Sequence, residues 1–430
     1  MKIKELIGAT GAKVLTEVDK DLDVKISTDT RTIQAGDFYL PLKGASFDGE
    51  KFINQAFEKG AIGAFCTGDN GTLQVQNTLT AYLQLANYRR KKLNFTVVAI
   101  TGSSGKTTTK ELAASVLSEK FRTFKTPLNH NNEIGFCQTI FEAPDDTEIL
   151  VLEMGMRGLG EIELLSKYAE PDITIISNVG TAHIGRLGSR ENIAKAKCEI
   201  VKYQRGNIFI AHDDELIKKT VQFSGKKIFY SIKDVKILEK DTHYSKFEYY
   251  GNIYELNVGG DYNIENALSA INTGLALGMK VNEIQSGLKK YSPIEKRWEA
   301  VNAGGFEIIN DSYNANPESM RAFIDTIFEL YKKPVVILGD MGELGEDEIK
   351  YHSELGKYIN SHKNLRQDAE ILSIGKLSKY ITDGVTNCPA KHFETIEQAA
   401  AYLKNKDTKV QLFLKASRSM KFERIIEELK

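Results

Sequence analysis

Residues 97–117 read VVAITGSSGKTTTKELAASVL, and this stretch decides the fold of the middle of the chain. An apolar, β-branched run leads into a turn of small residues, then Lys106, then a segment with a helical pattern. That order is typical of a phosphate-binding loop. Ile100 stands where the full G-x-x-x-x-G-K-[ST] pattern has its first glycine, but the backbone N–H donors and the helix N-terminus remain.

The loop predicts a site for the phosphates of a nucleotide. Lys106 would lie against the β- and γ-phosphates, and the Thr107 hydroxyl would ligate Mg²⁺. A chance Gly-Lys-Thr at a helix start is the alternative, and the preceding strand argues against it. The predicted ATP-binding residues of this loop are Gly102, Ser103, Ser104, Gly105, Lys106, Thr107 and Thr108.

Strand-like and helical segments alternate from Phe95 onward, which predicts a parallel α/β sheet. Its strands are FTVVAIT, EILVLEMG, DITIISNVG and GNIFIAHDD, whereas residues 226–258 suggest antiparallel strands at an edge. Alternation resumes after YSPIEKRW and indicates a second, smaller α/β domain. The predicted domains are 1–81, 82–294 and 295–430.

Composition excludes several classes of protein. The 430 residues are 41% hydrophobic and 27% charged with a net charge of −1, so no basic field points to nucleic acid. Four dispersed cysteines fit a reducing cytosol rather than a disulfide framework. No apolar run reaches the roughly 20 residues that a membrane helix needs, and we expect a cytoplasmic protein without membrane partners.

Acidic and imidazole groups follow the predicted strands, where ligands of parallel sheets collect. Glu153 ends EILVLEMG and could hold Mg²⁺ beside Thr107, although a solvated turn glutamate is the alternative. His183 in NVGTAHIG is by residue type more often a satisfied polar side chain than a metal ligand. Lys197 in ENIAKAKCEI reads by itself as a surface cation.

Six motifs occur in an order that resembles the Mur ligase family, most closely its dipeptide-adding members. They are TGSSGKTTTK, EMGMRGLGEIELL, SNVGTAHIGRLGSRENIAKAKCEI, NDSYNANPESM, LGDMGELG and KASRSMKFE. STDTRTIQAGDFYLPLKGASFDGEKFI resembles that family's uridine-nucleotide domain. The resemblance implies a small α/β uridine-nucleotide domain, a central P-loop parallel-sheet ATPase domain and a C-terminal Rossmann-like α/β domain.

The resemblance also implies roles for single residues. His183 would help to bind a second Mg²⁺, and Lys197 aligns with a lysine that CO₂ carbamylates into a metal ligand. With Lys106, these two form the expected catalytic set, and the metal ligands are Thr107, Glu153, His183 and Lys197. Further ATP contacts would come from Asn266, Arg297 and Asp311, and the substrate-binding residues would be Ser27, Thr28, Arg31, Lys43, Gly44, Asn131, Asn132, Lys415, Ser417 and Arg418.

The implied reaction is the ATP-dependent joining of D-alanyl-D-alanine to UDP-N-acetylmuramoyl-tripeptide through an acyl phosphate, by an enzyme that we expect to be a monomer. The base for the amine and the third peptide residue, diaminopimelate or lysine, stay open. Three positions depart from the family pattern, namely Tyr262, Ala416 and His212. None of them removes a phosphate or metal group.

Other functions remain open at this point. Within the superfamily they are a ligase that adds a single amino acid and a folylpolyglutamate synthase. A P-loop phosphotransferase or mechanical ATPase would leave the uridine-like N-terminal domain unexplained. A scaffold without chemistry is disfavoured because Lys106, Thr107, Glu153, His183 and Lys197 occur together.

Overall fold

A computed structural model describes residues 1–44, 47–365 and 367–430. The chain forms two compact units, one of Met1–Phe95 with Thr126–Glu148 and one of Thr96–Lys125 with Ile149–Lys430. These units do not follow the predicted domain boundaries, so the division at residues 81 and 294 stays a prediction. Across the described residues, no helix is both long enough and apolar enough to cross a membrane.

The helices are α1 Ile3–Thr10, α2 Ile53–Glu58, α3 Thr78–Leu93, α4 Lys106–Leu117, α5 Glu133–Glu142, α6 Glu161–Ala169, α7 Ile184–Leu187, α8 Arg190–Cys198, α9 Glu215–Thr220, α10 Asp261–Ala276, α11 Val281–Lys290, α12 Pro317–Leu330, α13 Glu348–Asn360, α14 Lys379–Thr382, α15 Ile396–Leu403 and α16 Glu423–Leu429. The strands are β1 Lys13–Val14, β2 Ile26–Ser27, β3 Phe38–Tyr39, β4 Gly63–Cys66, β5 Leu73–Gln74, β6 Thr96–Thr101, β7 Thr123–Lys125, β8 Ile149–Glu153, β9 Ile173–Ile176, β10 Ile208–His212, β11 Lys226–Tyr230, β12 Lys236–Lys240, β13 Ser245–Tyr249, β14 Asn252–Leu256, β15 Glu299–Ala303, β16 Phe306–Asn310, β17 Val335–Gly339, β18 Glu370–Ile374, β19 Ala390–Phe393 and β20 Leu412–Lys415.

The first unit contains a small sheet of order β1-β5-β4-β3-β2. Its strands pair in parallel except β1 with β5. Tyr39, Ile53 and Ala64 belong to its buried core, and the stacked rings of Tyr82 and Phe141 join α3 to α5 with centroids 5.5 Å apart. The expected small α/β fold is confirmed.

The second unit contains a six-stranded parallel sheet of order β11-β10-β9-β6-β8-β7. Residues of β8 and β9 are buried throughout, because helices cover both faces of such a sheet. All four predicted strands are present. The segment 226–258 differs from the expectation, since β11 extends the parallel sheet beside β10 and only β12, β13 and β14 form an antiparallel sheet.

A third large sheet has the order β15-β16-β20-β17-β18-β19. Only its edge pair β15–β16 is antiparallel, so the C-terminal segment is the predicted Rossmann-like α/β fold. The carboxyl ends of β16, β17 and β20 carry Asp311, Asp340 and Lys415. Parallel strands therefore deliver several of the predicted site residues to one edge of the sheet.

Candidate functional site

The phosphate-loop stretch has the strand–loop–helix geometry that its sequence predicts. Strand β6 ends at Thr101 and α4 begins at Lys106, with Gly105 as its N-cap at φ +75°. No side chain in the described chain caps α4, so its first N–H groups remain donors for an anion. The Lys106 amine donates to the carbonyl of Gly102 at 2.9 Å and thus lies over the loop.

The segment that follows β9 braces this loop, a role that the sequence analysis missed. Asn178 accepts from the Ser104 N–H at its side-chain oxygen (2.9 Å) and from the Ser103 N–H at its carbonyl (3.1 Å). The Ser177 hydroxyl donates to the Ser104 carbonyl at 2.6 Å. The available signal was that SNVG closes the predicted strand segment DITIISNVG, at the carboxyl end where ligands of parallel sheets collect; its pairing with the loop was not predictable.

Arg297 reaches the phosphate loop from the start of the C-terminal segment. Its Nη2 donates to the Thr107 hydroxyl at 2.9 Å, and its guanidinium lies 3.9 Å from the ring centre of Tyr313. Its Nε is buried without a hydrogen-bond partner among the described residues. A buried, charged donor without a partner is costly, and an anionic ligand such as a phosphate would satisfy it.

Two amines face the region of the loop. Burial lowers the pKa of the Lys106 amine, with a further contribution from Arg297, against the charges of Glu153 and Glu343. Burial also holds the pKa of Lys197 well below its ordinary value, and the charge of Lys106 adds to this shift. Lys197 lies inside α8 and is 1% exposed, so the structure does not support its reading as a surface cation.

The predicted metal ligands lie in the same unit but do not form a preassembled cage. Within residues 1–44, 47–365 and 367–430, no three His, Cys, Asp or Glu side chains cluster as a metal site. Glu153 is buried at the end of β8, with one oxygen 3.9 Å from the Lys110 amine. Because Mg²⁺ commonly uses one or two carboxylates together with substrate phosphates, Glu153 and the Thr107 hydroxyl remain a suitable donor set.

His183 is held by a residue that the sequence analysis did not single out. It is the N-cap of α7 in the left-handed region, at φ +66°, and its Nδ1 lies 2.5 Å from Oε2 of Glu343. This hydrogen bond lowers the pKa of the Glu343 carboxyl, partly offset by desolvation. The carboxylate therefore orients the ring, as such partners do for metal-binding histidines.

The remaining predicted ATP residues flank the loop or end a neighbouring strand. The Asn266 side chain is buried on α10 and accepts from the Thr109 hydroxyl at 3.2 Å. Asp311 follows β16 and forms an ion pair with Lys415, with Nζ to Oδ2 at 2.6 Å. Lys415 was predicted to bind the acceptor, and in the structure its amine is engaged by Asp311.

The other predicted acceptor residues of the C-terminal segment lie after β20. The Ser417 hydroxyl is 3.2 Å from that of Ser419. Nη1 of Arg418 is 2.7 Å from the carboxylate of Glu423. Both side chains are therefore engaged locally, and their contact with a substrate stays a prediction.

The first unit carries the predicted nucleotide-sugar residues. Arg31 is exposed and pairs with Asp29 at 2.6 Å, which lowers the pKa of Asp29 to about 2. The Ser27 hydroxyl donates to the Asp29 carbonyl at 3.3 Å, and Lys43 lies 3.4 Å from Asp48. Thr28 is half-buried and Gly44 is exposed.

The central loop NHNNEIG also belongs to the first unit. Asn132 caps α5 by accepting from the Gly135 N–H at 2.9 Å, a local role that Asn residues commonly have. The Asn131 N–H donates to the carbonyl of Asn129 at 2.7 Å. Substrate contacts of Asn131 and Asn132 stay predictions.

Comparison with known proteins finds two family matches. Residues 100–274 match the Mur ligase middle domain and residues 296–418 match the Mur ligase glutamate ligase domain. The chain is 37% identical to the UDP-N-acetylmuramoyl-tripeptide–D-alanyl-D-alanine ligase of Bacillus subtilis, over 94% of this chain and 92% of the relative.

Solved structures are similar over almost the whole chain. MurF from Acinetobacter baumannii superposes with a TM-score of 0.89 at 28% identity, covering 100% of this chain and 98% of the other. The MurF ligase of Thermotoga maritima in complex with ADP gives a TM-score of 0.85 at 28% identity, with coverages of 96% and 98%.

Proposed function

This chain belongs to the Mur ligase family, and from this premise we propose that it joins D-alanyl-D-alanine to the terminal carboxylate of UDP-N-acetylmuramoyl-tripeptide. The products are UDP-N-acetylmuramoyl-pentapeptide, ADP and phosphate, in peptidoglycan precursor synthesis. The observation that carries the proposal is the 37% identity to a ligase of that name across 94% of the chain. The same relationship makes the chain an ATP-dependent, amide-bond-forming enzyme.

The first step moves the γ-phosphoryl group of ATP onto the peptide carboxylate and releases ADP. Two anions must approach each other, so positive charge has to be fixed between them. Lys106 over the loop and the unsatisfied Nε of Arg297 supply that charge. The uncapped N-terminus of α4 adds N–H donors.

The second step is attack of the neutral dipeptide amine on the acyl phosphate. A tetrahedral intermediate forms, the amide bond remains when phosphate leaves, and the amine gives up a proton. The acyl phosphate is also open to attack by water, so the site has to exclude solvent between the two steps. The contacts of Arg297 with Thr107 and Tyr313 are suited to keeping the C-terminal segment on the loop.

Magnesium ions are part of the proposal: Thr107 and Glu153 would hold one, and His183 would hold a second together with Lys197 once that lysine is carbamylated. When bound, Mg²⁺ neutralises phosphate charge and polarises the phosphoryl oxygens. The protein residues provide oxygen donors and a histidine whose ring Glu343 orients.

We further propose that Lys197 becomes carbamylated. Burial holds the pKa of its amine well below the ordinary value, which favours the neutral form that addition to CO₂ requires. The product is a carbamate anion and a proton, and the carbamate would attract the Lys106 cation, which disfavours a charged Lys197 amine. Enzyme exchanged into ¹³C-bicarbonate should give a carbamate NMR signal that Lys197→Ala lacks. Short-chain carboxylic acids should partly restore the activity of that variant. Absence of the signal from the wild type would refute the modification.

The acceptor sites follow the same reasoning. Ser27, Thr28, Arg31, Lys43 and Gly44 would contact the uridine diphosphate, and Asn131 and Asn132 the peptide. Lys415, Ser417 and Arg418 would lie near the incoming dipeptide. We propose a cytoplasmic location, since the four cysteines are free and buried, as in reducing compartments. We also propose that the enzyme acts as a monomer.

The decisive experiment is mass spectrometry of the product from purified UDP-tripeptide, ATP and D-alanyl-D-alanine, with single amino acids and glutamate in parallel. We expect a pentapeptide product with the dipeptide alone. Lys106→Ala should abolish ligation while UDP-tripeptide binding persists, and the exposed Lys167→Ala in the same unit serves as the control. Product with glutamate, or turnover by Lys106→Ala near that of wild type, would overturn the assignment.

A further inference from the structure

The loop that carries His183 is joined to the C-terminal segment through a carboxylate with no role in the reaction so far. We call residues 180–183 the histidine loop. The Thr181 N–H donates to Oε2 of Glu318 at 2.9 Å, and the Thr181 hydroxyl donates to the same oxygen at 2.7 Å. One carboxylate oxygen therefore holds both the backbone and the side chain of Thr181.

Glu318 is itself fixed by its place in α12. The helix begins at Pro317, and its N-cap Asn316 accepts from the Ser319 N–H at 2.9 Å while the Ser319 hydroxyl accepts from the Asn316 N–H at 3.0 Å. This capping box fixes the first turn of the helix. Glu318 thus extends from a rigid element toward the histidine loop.

The other end of the connection is the phosphate loop. The Gly180 N–H donates to the Ser103 hydroxyl at 2.9 Å, and Thr181 is the next residue. An unbroken chain of contacts therefore runs from Ser103 through Gly180 and Thr181 to Glu318. It links the loop expected to hold ATP with a helix of the C-terminal segment.

We propose that Glu318 is a positioning residue that holds the histidine loop against α12 and keeps ATP consumption coupled to amide-bond formation. This inference rests on the proposed function, because coupling has meaning only if an acyl phosphate forms. Without the carboxylate, the N–H and the hydroxyl of Thr181 lose their shared acceptor, and the histidine loop is released beside the phosphate loop. Water then reaches the acyl phosphate, and phosphate is released without ligation.

The purely structural alternative is that Glu318 only stabilises the N-terminus of α12, where a negative charge is favourable. Glu397 provides a matched control because it is the second residue of α15, the same position that Glu318 has in α12. It pairs with Arg424 on the surface. Glu397→Ala removes a helix-end carboxylate without touching the histidine loop.

The experiment measures phosphate released and pentapeptide formed in the same reaction, with UDP-tripeptide, ATP and D-alanyl-D-alanine. Wild type and Glu397→Ala should release one phosphate per amide bond. For Glu318→Ala we expect the ratio to rise about threefold or more and kcat for ligation to fall about tenfold, as expected for losing charge-assisted hydrogen bonds. KM for the UDP-tripeptide should stay unchanged.

Conservative variants keep the test decisive if Glu318→Ala folds poorly. Glu318→Gln retains an oxygen that can accept from both donors of Thr181 and should restore most of the coupling. Thr181→Val removes only the hydroxyl and should raise the ratio less, whereas Thr181→Ser should not raise it. A ratio of one in both Glu318→Ala and Thr181→Val would overturn the inference alone, whereas a wild type that forms no pentapeptide would overturn the proposed function and the inference with it.

Discussion

Gly105, the N-cap of the helix behind the phosphate loop, is the position where the smallest substitution should have the clearest effect. Its φ of +75° lies in the left-handed region, which costs a residue with a side chain about 1–2 kcal/mol. A Cβ at this position would also lie 2.4 Å from the side-chain oxygen of Asn266, which must then move. That movement breaks the hydrogen bond from Thr109 to Asn266, at about 1 kcal/mol.

We therefore expect Gly105→Ala to lower the free energy of unfolding by about 2–3 kcal/mol. Nucleotide binding should suffer as well, because Asn266 and the N–H groups of the loop shift together. The loss of one hydrogen bond to a charged phosphate costs about 1.5–3 kcal/mol, or roughly 10- to 150-fold in the Kd for ADP. Isothermal titration with ADP and denaturant unfolding measure the two effects separately.

Gly251→Ala is the matched control. Gly251 has nearly the same φ, +71°, in the turn between β13 and β14, and no atom lies within 4 Å of its added Cβ. It should show the backbone cost alone, about 1–2 kcal/mol, with unchanged ADP binding. If Gly105→Ala binds ADP like the wild type, or unfolds no more easily than Gly251→Ala, the reasoning about the loop is wrong.

Two further predictions concern buried charge and buried imidazole. His352 is fully buried and accepts from the Met341 N–H at 2.9 Å, and burial lowers its pKa. The unfolded chain therefore binds the proton more readily, so the free energy of unfolding should decrease as the pH falls below about 6.5. Melting temperatures from pH 7.5 to 5.5 should fall more steeply for wild type than for His352→Gln, and equal slopes would contradict this. Lys415→Met should lower the free energy of unfolding by about 3–5 kcal/mol in denaturant unfolding, because it leaves the Asp311 carboxylate without its ion-pair partner. The double variant with Asp311→Asn should recover part of that loss. A cost below about 1 kcal/mol for Lys415→Met would show that the pair contributes little.

Local patterns account for what the sequence predicted correctly. Strand β6, the loop and α4 follow one another within a short stretch, so the hydrophobic periodicity and the turn-forming residues are enough to predict all three. The position of β11 in the sheet could not be predicted in this way. Its five residues, which are partly exposed and partly buried, fit a parallel edge strand as well as an antiparallel one. Only its pairing with β10, a tertiary property, decides between them.

Side-chain partners across long separations were beyond the sequence for the same reason. Arg297 and Thr107 lie 190 residues apart, and Glu318 and Thr181 lie 137 apart. Charge and residue type say that such groups need partners but not which ones. Lys415 illustrates the limit, since a lysine after β20 could serve a substrate, yet it forms an ion pair with Asp311.

The missing first glycine of the phosphate loop has a structural explanation. Ile100 lies inside β6, fully buried, between β8 and β9, and its carbonyl accepts from the Met154 N–H at 2.8 Å. A strand position covered on both faces favours a β-branched residue. Glycine is required only further along, at Gly105 for its positive φ and at Gly102, whose Cβ would lie 1.8 Å from the Ser177 hydroxyl. The shorter pattern therefore keeps the strand–loop–helix geometry of a phosphate loop, with the strand continuing to Thr101 ahead of the proposed nucleotide site.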